Sequence, residues 1–156
     1  MIRKTTAFAC LTIALSTLTL ASQAGAPKSA DQVKAVATAT KTDAKGTQTV
    51  TITLDIVKGW HLYANPVNHN NDFLDGAQTR VKVAAKEKVK ASVKYPVGKT
   101  HVDGKEKYDI YEGKVTIQVG VQRTAGDVSP LEIVIDVQAC DSKFCLMPSK
   151  IKLQIP

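Results

Sequence analysis

After residue 30 the chain is written in twos. Val33, Ala35, Ala37 and Ala39 alternate with polar neighbours, and Val50, Ile52, Leu54 and Ile56 alternate with Thr51, Thr53 and Asp55. The pattern returns at Val89, Ala91, Val93 and Tyr95, at Val115, Ile117, Val119 and Val121, and at Leu131, Ile133, Ile135 and Val137. Ile151, Leu153 and Ile155 repeat it a last time. Successive side chains of an extended chain leave on opposite faces, so each stretch is a strand with one apolar and one wet face, suited to antiparallel pairing. Sustained helical periodicity is absent beyond residue 24. Turn formers punctuate the strands: Lys45-Gly46, Asp75-Gly76, Pro96 to Gly98, Asp103-Gly104, Glu112-Gly113, and Gly126 through Pro130. About 7–9 short strands at this spacing predict an all-β fold, an antiparallel β-sandwich of immunoglobulin-like type. Residues 65–76, rich in Asn and Asp, and residues 99–107 fit no strand and read as long loops, where function usually sits on such a scaffold. Residues 25–30 read as a loose leader.

The beginning of the chain follows a different rule. Arg3 and Lys4 precede an apolar stretch from Ala7 to Ala21, and Ser22-Gln23-Ala24 offers small residues at the positions a signal peptidase reads. The stretch is 15 residues long, five of them Thr, Ser or Cys, whereas a bilayer span needs about 20. Residues 1–24 are therefore expected to be a secretory signal peptide, cleaved between Ala24 and Gly25, leaving residues 25–156 as a single domain in the periplasm or outside the cell. Cys10 lies within the apolar stretch, and Ala7-Phe8-Ala9 before it is a poor lipoprotein-processing site, so Cys10 leaves with the signal. No later segment is apolar enough to span a membrane.

Charge excludes little but points away from nucleic acid. Loss of Arg3 and Lys4 takes the formal charge from +7 to +5, since residues 1–24 contain no acid. What remains is mostly lysine at alternate positions, with Arg80 and Arg123 the only later arginines. Nucleic-acid binders gather arginine and aromatics on one face, whereas this pattern is a solvated lysine surface able to steer an acidic protein partner. No hydrolytic triad, phosphate loop or carboxylate dyad is present.

Without Cys10, two cysteines remain, Cys140 and Cys145, in an oxidising compartment where thiols normally pair. An alternating strand runs into Cys140, a four-residue turn follows, and Pro148 precedes the last strand, so the sulfurs can meet across a tight turn. Closing so short a loop restrains the unfolded chain by only about 2 kcal/mol, and locally closed bridges in polar loops include the reducible ones. On spacing alone the pair serves equally well as a structural staple in a non-catalytic binding or scaffolding domain, or as a redox centre.

Four motifs occur together and in order: Gly59-Trp60-His61-Leu62-Tyr63, Tyr95-Pro96-Val97-Gly98, Asp109-Ile110-Tyr111, and Gln138-Ala139-Cys140 with Phe144-Cys145 and Pro148. With them the chain resembles, over roughly residues 50–156, the N-terminal periplasmic domain of the thiol–disulfide interchange protein DsbD. The resemblance implies an immunoglobulin-like fold carrying a redox-active cysteine pair. Such a domain takes electrons from a thioredoxin-like domain and passes them to periplasmic oxidoreductases, with no cofactor. It nominates Cys140 and Cys145 as the exchanging pair, with Cys145 the partner-facing sulfur. Tyr63 matches a tyrosine lining the site, and His61 stands where another aromatic is common. An imidazolium at His61 beside Cys145 would favour its thiolate.

Three features depart from that family. Four residues separate the cysteines rather than five, and residues 99–107 lack the phenylalanine that shields the pair, a role Tyr108 could partly take. No membrane-spanning or thioredoxin-like segment follows Pro156, so the reductant is expected on another chain. A copper site built from His61, His69, His101, Met147 or the thiols has no supporting spacing. His69 and His101 are therefore read as solvated loop histidines. Trp60 is expected to pack into the sandwich, and Tyr95, Tyr108 and Tyr111 to sit in its core or rim. Asp136 is expected to point outward, and Asp141 to disfavour a thiolate at Cys140 if close.

Overall fold

The fold was analysed in a computed structural model that describes residues 26–70 and 72–156; the expected signal peptide and Cys10 lie outside them. Eleven strands form antiparallel ladders among the described residues. They are β1 (Val33–Ala39), β2 (Thr47–Ile56), β3 (His61–Tyr63), β4 (Arg80–Ala85), β5 (Lys90–Lys94), β6 (Lys99–Asp103), β7 (Glu106–Tyr111), β8 (Lys114–Gln122), β9 (Leu131–Val137), β10 (Ala139–Cys140) and β11 (Ser149–Ile155). One sheet runs β1-β2-β8-β5, a second β11-β9-β4, and a third β10-β3-β7-β6.

The alternation explains the packing. Val50, Ile52 and Leu54 of β2 face Val119, Ile117 and Val115 of β8 in register, and Ile133 and Ile135 of β9 face Leu153 and Ile151 of β11. Their apolar sides meet in one core, where Ile52, Leu54, Ile117, Leu131, Ile133 and Ile135 are fully buried. Burying such a side chain is worth roughly 1.5–3 kcal/mol. The outward residues between them are mostly polar, threonine, glutamine, lysine and Glu132, and Asp136 pairs with Lys82 at 3.0 Å.

The strand count exceeds the sequence expectation for identifiable reasons. In β4 only Val81 and Val83 alternate before two alanines end the pattern, and β3 and β10 are three and two residues long. Residues 99–107 are not a loop. β6 and β7 form a hairpin whose pairing of Asp103 with Glu106 leaves the two-residue turn Gly104-Lys105. Gly104 sits at φ +58°, the positive value that the first position of a type II′ hairpin turn requires. Nearly all of β6 is exposed, so it carries no apolar alternation. Residues 65–70 carry no strand or helix, and a 3₁₀ turn follows at Asp72–Gly76.

Within the stretch expected to be a loose leader, residues 28–30 are ordered against the site. Ser29 is completely buried, in a 3₁₀ turn spanning Ser29–Gln32. Its hydroxyl donates to the Met147 carbonyl at 2.7 Å and accepts from the Ala139 N–H at 2.9 Å. The segment is thereby strapped to both flanks of the cysteine loop.

Candidate functional site

Strand register alone assembles the site. Directly opposed residues of an antiparallel ladder share a face, and every second residue along a strand joins them. Cys140 opposes His61 across β10 and β3, Tyr63 opposes Ile110 across β3 and β7, and Tyr108 opposes His101 across β7 and β6. One face of the third sheet therefore carries Cys140, His61, Tyr63, Ile110, Tyr108 and His101. The residues between them turn the other way, so Leu62, Tyr111 and Ala139 join the main core.

Four rings on this face close a circuit. His61 meets Tyr63 edge-on at 6.0 Å, Tyr63 meets Tyr108 at 5.5 Å, Tyr108 meets His101 at 5.3 Å, and His101 stacks on His61 at 5.8 Å. His61, Tyr63 and Tyr108 are buried and His101 half-buried. Reading His101 as a solvated loop residue is thus corrected: the β6–β7 hairpin lays it over His61. His69 is not a solvated residue either. Its side chain is 10% exposed and pairs with Asp75 at 2.9 Å.

Cys140 and Cys145 are joined by a disulfide of 2.03 Å, and the two sulfurs occupy unlike places. Cys140 is 2% exposed, packed with Tyr63, Val67, Tyr108 and Ile110. Cys145 is exposed, with its Sγ 3.9 Å from the Tyr63 hydroxyl. The loop between them is held by Asp141, whose Oδ1 accepts the N–H groups of Lys143 and Phe144 at 2.7 and 2.9 Å. Those bonds hold the Asp141 carboxyl below its usual range, so the residue next to Cys140 is a fixed turn anchor. The loop is closed by Asp141 N–H to the Phe144 carbonyl and Leu146 N–H to the Ala139 carbonyl. Phe144 is 55% exposed and meets the edge of Trp60 at 5.9 Å. Trp60 itself packs, half-buried, against the main core.

Register and burial set the surroundings of His61. His61 faces Cys140 in register rather than being paired with Cys145, and burial holds its imidazole below the ordinary proton affinity, with nearby His101 adding to the effect. Glu112 and Asp141 oppose this more weakly. The His61 Nε2 is buried without a hydrogen-bond partner. The phenol of Tyr63 is pushed up, first by burial and then by Glu106 and Asp103, which keeps it protonated and able to donate toward sulfur.

The loop and hairpin around the site are pinned by Asp109. Its carboxylate accepts from Thr100 Oγ1 at 2.8 Å and Asn68 Nδ2 at 2.7 Å. Gly98 lies against the same strand, where an added Cβ would come within 2.6 Å of the Ala64 Cβ and 2.8 Å of the Asp109 Cβ; only glycine allows that approach. Tyr111, the third residue of the motif, donates to the Pro96 carbonyl at 3.0 Å and accepts the Asn65 N–H at 3.1 Å. A cavity of about 660 Å³ lies at the far end of β11 beside Gln48, Arg123 and Ile155, away from the cysteines. Among the described residues no set of three or more His, Cys, Asp or Glu side chains is grouped to hold a metal ion. No helix among them is long and apolar enough to cross a membrane.

Fold and site together define an immunoglobulin-like domain with a disulfide at the end of one sheet, one cysteine exposed and the other buried. The family profile of the N-terminal region of the thiol:disulfide interchange protein DsbD matches residues 29–155, and the chain belongs to that family. Two solved structures share the fold. The N-terminal periplasmic domain of ScsB from Proteus mirabilis matches with a TM-score of 0.63 at 15% identity, covering 80% of this chain and 46% of that one. The DsbD N-terminal domain of Neisseria meningitidis in the reduced form matches with a TM-score of 0.51 at 13% identity, covering 83% and 89%. The chain thus spans less than half of the ScsB chain it matches. A comparison with curated proteins found no significant match.

Proposed function

We propose that this domain is an exported thiol–disulfide exchange module that passes electrons between periplasmic redox partners through Cys140 and Cys145. The observation that carries the reading is the inequality of the two sulfurs: Cys145 exposed, Cys140 enclosed. The exposed residue is the end of the disulfide that an incoming thiolate would reach, which supports a fixed order of events. A partner thiolate attacks Cys145, the mixed disulfide forms there, and Cys140 is the leaving group. In the other direction the Cys145 thiolate attacks a partner disulfide and Cys140 resolves the product. The partners are thioredoxin-like or other periplasmic oxidoreductases, reached after removal of residues 1–24. Phe144 and Met147, 55% and 76% exposed, give the rim of Cys145 an apolar character suited to a transient protein contact.

The reduction potential of the Cys140–Cys145 couple, equilibrated against glutathione or a thioredoxin-like dithiol, tests this. A structural staple lies below about −300 mV, and an exchange couple lies above it. A value at the lower end would return the domain to a scaffolding role.

A further inference from the structure

The exchange chemistry leaves one difficulty at Cys140. When Cys145 is attacked, Cys140 departs with the bonding electron pair as a thiolate, at a place 2% exposed and walled by Tyr63, Val67, Tyr108 and Ile110. An unpaired charge in such surroundings is costly. A buried leaving thiolate needs a donor or a cation at hand.

We propose that His61 is the acid–base partner of Cys140, taking up a proton as that thiolate forms and releasing it when Cys140 attacks again. The inference rests on the exchange reading and assigns a role within it. Three observations converge. His61 stands directly across the ladder from Cys140, which places Cβ atoms on one face about 4.5–5.5 Å apart. Its Nε2 is buried and has no partner, an atom whose donor or acceptor capacity is otherwise wasted. Its ring is oriented between Tyr63 and His101.

The other ionisable groups facing His61 are already committed or lie further round the ring. Asp141, beyond β10, is occupied by two backbone N–H groups. Glu112, beyond β7, pairs with Lys99 at 2.9 Å. The phenols of Tyr63 on β3 and Tyr108 on β7 are both pushed up by burial. His101 on β6 opposes Tyr108 rather than a cysteine. In the oxidised protein burial and His101 keep His61 neutral. A thiolate at Cys140 reverses that balance, since an opposite charge nearby favours the protonated imidazole.

The step balances. A partner dithiol loses two electrons and becomes a disulfide, and the Cys140–Cys145 bond gains them. Of the two protons the partner thiols give up, one is taken by His61, which forms an ion pair with the Cys140 thiolate, and the other by Cys145 when it is released as a thiol. In the reverse direction the Cys140 thiolate attacks Cys145 of the mixed disulfide, the partner sulfur leaves as a thiolate that takes a proton from solvent, and His61 returns its proton to solvent.

The first test uses the unaltered exported protein. The imidazole of His61 is titrated by NMR before and after reduction with dithiothreitol, and its pKa should rise by about one unit or more on reduction. An unchanged value overturns the proposal. The second compares wild type with His61→Phe, which keeps ring bulk without a titrating nitrogen. In a Cys145→Ser background, the thiolate fraction of Cys140 at pH 7 should fall about tenfold with His61→Phe. Reduction of the intact disulfide by dithiothreitol should slow by a similar factor. Equal thiolate fractions and rates would discard His61. A wild-type disulfide that dithiothreitol cannot reduce would sink the exchange reading and this assignment with it, whereas a reducible disulfide indifferent to His61 removes the assignment alone.

Discussion

The hydroxyl of Tyr63 lies 3.9 Å from the Sγ of Cys145, within the range where an O–H can donate to sulfur. The phenol is buried and protonated at neutral pH, so the contact favours the thiolate over the thiol. In a Cys140→Ser background, Tyr63→Phe should slow alkylation of Cys145 at pH 7 by about two- to tenfold, the value of one hydrogen bond. Unchanged alkylation would mean the hydroxyl serves packing alone.

Access differs between the sulfurs, so trapping should differ too. Cys140→Ser leaves exposed Cys145 to hold a thioredoxin-like partner as a stable mixed disulfide. Cys145→Ser leaves a thiol that is 2% exposed, and it should trap several-fold less. Non-reducing gel analysis after mixing with an oxidised thioredoxin-like protein reads the two yields. Equal yields would reverse the assignment of entry and resolving roles.

The bridge lies outside the main core. The main core is formed by β1, β2, β4, β8, β9 and β11 with Leu62, Tyr111 and Ala139, and includes neither cysteine. Replacing both Cys140 and Cys145 by serine should leave a folded domain, less stable by about 2 kcal/mol or less. A urea titration measures this. A variant that fails to fold would favour the staple.

Acid should weaken the oxidised domain through His61. Burial lowers its folded-state pKa below the ordinary 6.5, so between that value and the folded one the unfolded chain binds more protons. Stability therefore rises with pH across this window and falls as pH drops below about 6.5. Glu112 and Asp141 are shifted down from 4.5 and 3.8, so their contributions are lost only at lower pH. Urea midpoints at pH 7.5, 6 and 5 should decline for wild type and decline less for His61→Phe. Parallel declines would show that His61 is not the group responsible.

The strands visible in the sequence were those with an apolar rhythm: β1, β2, β5, β8, β9 and β11 all announce themselves by alternation. β6 was invisible because its only half-buried residue is His101. A polar edge strand has no apolar rhythm to read. The cysteine pair was legible because its closure is local, and Tyr63 and His61 were legible through a motif. His101 was missed because its place depends on a pairing set by the Gly104-Lys105 turn. Asp103-Gly104 between Thr100-His101-Val102 and Glu106-Lys107-Tyr108 was the available hairpin signal. For His61 the motif brings a histidine to this sheet, and the register adds that it stands opposite Cys140.

Ser29 bonds to residues 110 and 118 positions further along the chain. Its hydroxyl joins the strand end before Cys140 to the carbonyl after Cys145, so the cysteine loop borrows its frame from a segment made long before it. During synthesis that segment emerges first and must wait, unbonded, while every strand from β1 to β9 is added. Contacts of such sequence separation close late. The disulfide loop therefore gains its final shape only once the sandwich is nearly complete, and a thiol pair oxidised before then would be joined without its strap.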